Sequence, residues 1–352
     1  MPALAIADAM VLEDPRIEPY FVGAERGVEA QVLPRRQWRY TLLPFEPLYR
    51  RQWWKNVRFP WTAFKSLRGV RRILREEQPV LAIGTGGYAS GPALWAASGR
   101  GIPIVLQEQN AFPGIATRRL AGKAAQIHLG FPEARGHLKI GAGTEVRDSG
   151  NPITPPLDPR PDRAAARRAL GLDPDSRVVL VAGGSQGALP INEAVAAAIE
   201  SGAFPIPGTS LIWQTGRGSF PRFSVLIKPG MRMEPFIDPM AGAYAAADLV
   251  VARAGAMTLA ELAAWGLPSV LVPLPTAAAG HQLTNARAMA ASGAAVLLEQ
   301  HNLTGPVLAD TVRELLSQPA RMAELSRGAE SRANPLAASE IAHEALRLVS
   351  KS

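Results

Sequence analysis

The sequence predicts an α/β protein of two parallel, doubly wound domains, and three observations carry that prediction. Short apolar runs recur ahead of glycine-rich turns and helix-like segments. PVLAIG leads into GTGGYASGP, RVVLVA into GGSQGALPIN, and DLVVAR into AGAMTLAELAAWG, after which PSVLVP follows. Strands alternating with helices in this order form parallel sheets covered on both faces. The stretch GNPITPPLDPRPD, Gly150 to Asp162, holds five prolines near the middle of the chain and reads as a stiff linker. The length, 352 residues, is enough for two domains. The expected division is 1–150, 151–330 and a tail, 331–352, in which Ile341, Ala345, Leu346 and Val349 share one helical face.

The first element is a helix. Pro2 suits a first helical turn, and Ala3 to Ala7 read as a helix interior, yet no strand or loop stands before it. The composition is globular, with 47% hydrophobic and 19% charged residues. With no cysteine, the chain can have neither a disulfide framework nor a thiolate metal site. No basic, apolar leader of the secretory kind opens the sequence. The uncharged stretch Gln78 to Gly99 is long enough to span a bilayer, but a Gly/Pro loop at its centre makes it a poor membrane helix.

The net charge of +8 is concentrated. Between Gln31 and Arg75 stand 12 Lys/Arg against one acid, Glu46, together with nine aromatics that include four of the seven Trp. Within that window Trp61, Phe64, Leu67, Val70 and Leu74 recur at helical spacing and are expected in the core. Trp53, Trp54 and Phe59, interleaved with Arg50, Arg51, Lys55 and Arg58, are the expected membrane patch, since Trp favours the headgroup region. A solvated basic face is the alternative, and a nucleic-acid binder, resting only on this basic, aromatic window, is a third reading. Nucleic acid is not expected as a partner.

The strongest anion signal is VVLVAGGSQGALPIN. A strand ends at Ala182, Gly183, Gly184, Ser185, Gln186 and Gly187 form the turn, and a helix begins near Ala188. Free N–H groups at a helix start favour a phosphate there. An ordinary tight βα turn is the competing reading, and no Gly-Lys-Ser/Thr follows to make a P-loop. Thr258-x-x-Glu261 has capping-box spacing, so Glu261 serves either a backbone N–H or a pair of sugar hydroxyls. In GHQLTNA, Gln282 and Asn285 share a helix face and offer amides suited to a sugar. The five histidines show no ligand spacing, and Asp173-Pro174-Asp175 reads as a turn, so neither metal nor cofactor is expected. No G-x-S-x-G occurs.

Taken together, GTGGYASGP, LQEQNAFPG, SGNP, GGSQG, the FID of Phe236 to Asp238, RAGAMTLAE and HQLTNA stand in one order along the chain. In that order the chain resembles the MurG family, the UDP-N-acetylglucosamine: lipid I N-acetylglucosaminyltransferases of peptidoglycan synthesis. The resemblance implies the GT-B fold, two Rossmann-like domains with a cleft between them, and a final helix returning to the first domain. It implies UDP-GlcNAc as donor. Ser185 and the GGSQG backbone would meet the diphosphate, Ile237 would hold uracil through its main chain, and Glu261 would bind the ribose. Ala256, Met257 and Thr258 would line the same helix start. Gln282 and Asn110 would contact GlcNAc, with Asn192 and Asn285 in support. Gly84, Thr85, Gly86, Gly87, Tyr88 and Ser90 would face the diphosphate of lipid I. The implied reaction is an inverting transfer to the acceptor 4-hydroxyl at the cytoplasmic face of the bacterial inner membrane, where the protein is peripheral on an anionic surface.

Two departures from the family stand out. Thr154 occupies the place of an arginine that contacts the donor. The family's first strand and its GGTGGH loop, with a histidine, precede the helix at which this chain opens, so an upstream start is expected. Without that histidine, Glu108, beside Asn110, is the candidate catalytic base. The alternatives are another GT-B UDP-sugar transferase acting on a lipid acceptor, and a UDP-sugar-binding relative without catalysis.

Overall fold

The computed structural model describes residues 2–46, 59–184, 186–277 and 280–349. The chain divides into two compact units, Met1–Pro152 with Leu336–Ser352, and Ile153–Pro335.

The first unit begins with α1 (Pro2–Glu13), β1 (Tyr20–Ala24), α2 (Glu29–Val32), β2 (Arg39–Leu43) and α3 (Phe59–Glu76). It continues with β3 (Ala82–Gly84), α4 (Gly87–Ser98), β4 (Ile104–Glu108), α5 (Ile115–Leu120), β5 (Gln126–Leu129) and β6 (Glu145–Arg147). Strands β3-β4-β5-β6 form one parallel sheet, and β1 pairs with β2, also in parallel, as a separate ribbon. Among the described residues, β1 pairs only with β2 and β3 only with β4. Leu94, Ile104, Leu106, Leu120, Ile127 and Leu129 form the core of the four-stranded sheet. The central strands β4 and β5 are buried along their whole length, but they also carry the polar side chains Gln107, Glu108, Gln126 and His128, which are hydrogen-bonded as buried polar groups must be.

The second unit contains α6 (Arg163–Ala169), β7 (Arg177–Ala182), α7 (Leu189–Glu200), β8 (Thr209–Gln214), α8 (Phe220–Phe223), β9 (Met231–Glu234) and α9 (Ala241–Ala246). It continues with β10 (Leu249–Ala252), α10 (Ala256–Trp265), β11 (Ser269–Leu271), α11 (His281–Ala291), β12 (Val296–Leu297), α12 (Gly305–Leu316) and α13 (Pro319–Glu330). Its six strands are all parallel, in the order β12-β11-β10-β7-β8-β9. The winding direction reverses between β7 and β10. Ligands of open α/β sheets bind outside the carboxyl ends of the strands at such a reversal. Val179, Val181, Leu211, Trp213, Leu249 and Val251 pack with Ile191, Val195 and Ile199 of α7 and Leu308 and Val312 of α12. Asp248 anchors the amino end of β7: it accepts from the Val178 N–H at 2.7 Å and pairs with Arg167 at 2.7 Å and Arg163 at 3.0 Å.

The last helix, α14 (Ala337–Val349), belongs to the first unit. Its buried face, Ile341 and Ala342, packs on Ile6 and Met10 of α1.

Helix α3 departs from its sequence reading. Ser66, Val70 and Ile73 are buried, with Leu67 and Leu74 packed beside them, but Trp61 and Phe64 face solvent, 64% and 59% exposed. Trp61 is nine residues from Val70, which at 3.6 residues per turn puts it on the opposite side of the helix, about 180° away. The two rings stack at 6.4 Å, and the Lys65 ammonium lies 5.8 Å from the Trp61 ring. Of the expected membrane patch, Phe59 opens α3 half-buried, and Trp53, Trp54, Arg50, Arg51, Lys55 and Arg58 lie outside the described residues. Among the described residues, no helix is long and apolar enough to cross a membrane.

Candidate active site

The carboxyl ends of β7, β8, β9 and β10 bring together segments far apart in sequence. After Ala182 the chain turns through Gly183 to Gly187 and enters α7. A Cβ at Gly183 would lie 2.5 Å from the Ala188 nitrogen, so glycine lets the turn pack against the helix start. Gly187 has φ +76°, and a Cβ there would collide with the Thr215 carbonyl oxygen. Gly184, at φ +89°, faces open space. Gln186 is exposed, and Ser185 lies outside the described residues. Asn192 of α7 is fully buried. It donates to the Thr215 carbonyl at 2.7 Å and accepts from the Trp213 indole at 3.0 Å, so it supports the turn from beneath.

Across the reversal, α10 begins at Ala256, with Gly255 in extended conformation as its cap. Ala256, Met257 and Thr258 form its first turn. This corrects the capping-box alternative, because Glu261 is the sixth residue of the helix and lies beyond reach of its first N–H groups. Its carboxylate instead accepts from the Tyr244 hydroxyl at 2.7 Å. Burial pushes the Glu261 carboxyl pKa up, only partly opposed by that hydrogen bond, and burial also pushes the Tyr244 phenol up. Buried Asn285 donates to the Ala254 carbonyl at 3.3 Å, steadying the approach to α10. Gln282 is half-buried and accepts from the Leu274 N–H at 2.9 Å. Ile237, in the loop after β9, donates its N–H to Gln214 at 2.9 Å.

In the first unit, Gly84 ends β3, and a Cβ there would overlap Leu94. Gly86, the cap of α4, and Gly87, its first residue, have φ +83° and +82°, and the helix carries Tyr88 and Ser90. Gln109 donates to the Thr85 carbonyl at 2.7 Å, tying this turn to the loop after β4. Glu108 is buried, with both carboxylate oxygens engaged. It accepts from the Gly114 N–H at 2.9 Å, the Thr117 hydroxyl at 2.7 Å, and the Asn110 N–H and side-chain amide at 3.1 and 3.3 Å. With its oxygens taken by these four donors, Glu108 shapes its own loop and directs no free lone pair at an acceptor hydroxyl, which speaks against the expected role of catalytic base. Asn110 is half-buried on that loop, and Thr154 is exposed. Among the described residues, no three His, Asp or Glu side chains group as a metal would require.

Sequence reasoning missed Gln214, Tyr244 and Gln109. The one available signal for Gln214 was a polar residue closing the apolar strand SLIWQ.

The chain matches the glycosyltransferase family 28 N-terminal domain over residues 1–129 and the family 28 C-terminal domain over 178–341. It is 38% identical over 354 residues to the UDP-N-acetylglucosamine–N-acetylmuramyl-(pentapeptide) pyrophosphoryl-undecaprenol N-acetylglucosamine transferase of Porphyromonas gingivalis strain W83, covering 99% of this chain and 92% of that protein. The chain belongs to the MurG family. The Moorella thermoacetica enzyme of the same name is 38% identical over 99% of this chain and 95% of its own length. The crystal structure of Acinetobacter baumannii MurG matches with a TM-score of 0.77 at 26% identity, over 100% of this chain and 95% of that one. A Neisseria meningitidis UDP-GlcNAc 2-epimerase bound to UDP-GlcNAc matches in fold, with a TM-score of 0.67 at 14% identity, over 100% of this chain and 98% of that one. As a MurG-family glycosyltransferase, the chain has the two-domain α/β GT-B fold.

Proposed function

We propose that this chain transfers GlcNAc from UDP-GlcNAc to the 4-hydroxyl of the MurNAc residue of undecaprenyl-diphospho-MurNAc-pentapeptide, with inversion, releasing UDP. The observation that carries the reading is that the Gly183–Gly187 turn and the Ile237 loop are joined through Gln214 at the carboxyl ends of their strands, while α10, which carries Glu261, leaves β10 on the other side of the winding reversal. The diphosphate sits on the turn, whose glycines admit it to the backbone and whose following helix points free N–H groups and the positive end of its dipole outward. Uracil meets the main chain at Ile237, and Glu261 accepts from the ribose hydroxyls. Gln282 reaches the sugar, while Asn192 and Asn285 hold the turns in place. As the acceptor oxygen attacks the anomeric carbon, charge gathers on the departing diphosphate, and fixed N–H dipoles stabilise it without reorganising. The glycine turn at Gly84 to Gly87 receives the diphosphate of the lipid acceptor.

Calorimetry on the full chain with EDTA present tests the donor site. Binding of UDP-GlcNAc and of UDP is expected, with adenosine and guanosine diphosphates far weaker. Equal affinity for all three nucleotides would contradict a base-reading site.

The lipid acceptor requires a membrane surface, and the exposed Trp61 and Phe64 pair supplies an apolar anchor. Lys65, Arg68, Arg71, Arg72 and Arg75 on the same helix add attraction for anionic headgroups, each about 1 kcal/mol near such a surface. Replacing both aromatics with Ser is expected to weaken sedimentation with anionic vesicles about tenfold, and salt should weaken wild-type binding. Wild-type sedimentation by the double variant would place the contact elsewhere.

A further inference from the structure

Gln214 ends β8 and is 3% exposed. In register it stands between Ala182, the last residue of β7, and Glu234, the last residue of β9. Its side-chain amide spans two loops. The nitrogen donates to the Gly184 carbonyl at 3.0 Å, and the oxygen accepts from the Ile237 N–H at 2.9 Å. Only one amide orientation satisfies both partners, since a carbonyl accepts and an N–H donates. Other bonds near these loops act locally. The Gly187 N–H closes the glycine turn on Gly184 at 2.9 Å, and the Thr215 N–H reaches the Glu234 carbonyl at 3.0 Å. Neither joins the turn to Ile237.

These are the loops that the proposed donor reading gives to diphosphate and uracil, and the inference rests on that reading. In a nucleoside diphosphate the base and the phosphates are separated by a single ribose, so both loops can be satisfied only at one spacing. We propose that Gln214 is a positioning residue that sets this spacing, so that the site binds a uridine diphosphate as one unit. With the loops braced, docking of one half of the nucleotide holds the other half at high effective concentration. Without the brace each loop still receives its own half, but the loops must be ordered when both bind, and the advantage of linking the halves is lost.

The experiment compares whole nucleotide with fragments. Full-length wild type, Gln214→Met and Gln214→Asn are titrated with UDP, with uridine and with inorganic pyrophosphate, and the thermal midpoint of each protein is recorded. Met fills the volume without hydrogen bonds, and Asn keeps an amide too short to span both loops. The expected result is a loss of UDP affinity of about tenfold or more in both variants, with uridine and pyrophosphate changed by less than about threefold. Equal loss for UDP and both fragments would make Gln214 an ordinary support of the fold and overturn the proposal. Unchanged UDP affinity in either folded variant would overturn it too, while leaving the donor reading intact. A wild-type chain that binds no UDP would remove the donor reading itself.

Discussion

Glu261→Gln is expected to lower kcat/KM for UDP-GlcNAc about 100-fold, equivalent to about 2.7 kcal/mol, while raising the thermal midpoint. The two effects have one cause. A carboxylate accepting from ribose hydroxyls makes charge-assisted bonds, roughly twice as strong as those of a neutral amide. Keeping that carboxylate half-buried is unfavourable when nothing is bound, which is why its pKa is raised. Because the folded-state value lies above the unfolded one, the folded state binds the proton more readily between them. The associated stability is present below the unfolded pKa and is lost as pH rises through the folded pKa. At neutral pH the ionised side chain therefore destabilises the fold, and a neutral amide removes that penalty. The Gln oxygen can still accept from Tyr244, so the buried phenol is not orphaned. The gain should be absent in acid, below the ordinary carboxyl range, and grow as pH rises. A fall in thermal midpoint together with unchanged donor kinetics would make Glu261 a structural residue.

Gly187→Ala is expected to destabilise the protein by about 2–4 kcal/mol and to weaken UDP binding with it. The backbone at φ +76° alone costs about 1–2 kcal/mol for a residue with a Cβ. The rest arises because that Cβ would meet the Thr215 carbonyl, which already accepts from Asn192 beneath the turn. Moving Thr215 strains the Asn192–Trp213 bond, and moving Gly187 instead strains its N–H bond to the Gly184 carbonyl, which closes the turn. Gly218→Ala is the control. Its φ is not in the left-handed region and nothing lies within 4 Å of the added Cβ, so a change within about 0.5 kcal/mol is expected by denaturant titration. Equal losses at both positions would contradict the close-packing argument.

Features whose signal is local were legible in the sequence. The run RVVLVAGG announces a buried strand and a glycine turn within eight residues, and β7 and α7 stand on either side of that turn. Helix starts were less legible. Thr258 and Glu261 have capping-box spacing, but α10 begins at Ala256 because Gly255 is already extended, and no short spacing rule locates that transition. Apolar periodicity placed Val70 inward but assigned too wide a face to α3, leaving Trp61 and Phe64 on the wrong side. Partnerships across long sequence separations were invisible. Glu108 looked available because the donors that saturate it, at Gly114 and Thr117, reach it only once the loop folds back. Gln214 and Tyr244 carry no motif of their own, and their importance comes from which loop or side chain they touch.

Transfer itself is the most direct measurement. Full-length protein is incubated with labelled UDP-GlcNAc and vesicles containing undecaprenyl-diphospho-MurNAc-pentapeptide, and both the lipid fraction and free UDP are quantified. The expected result is one β-linked GlcNAc on the lipid for each UDP released, with no label transferred when the acceptor is omitted. Binding of UDP-GlcNAc with no labelled lipid, or release of UDP with the label free in water, would contradict the proposed transfer.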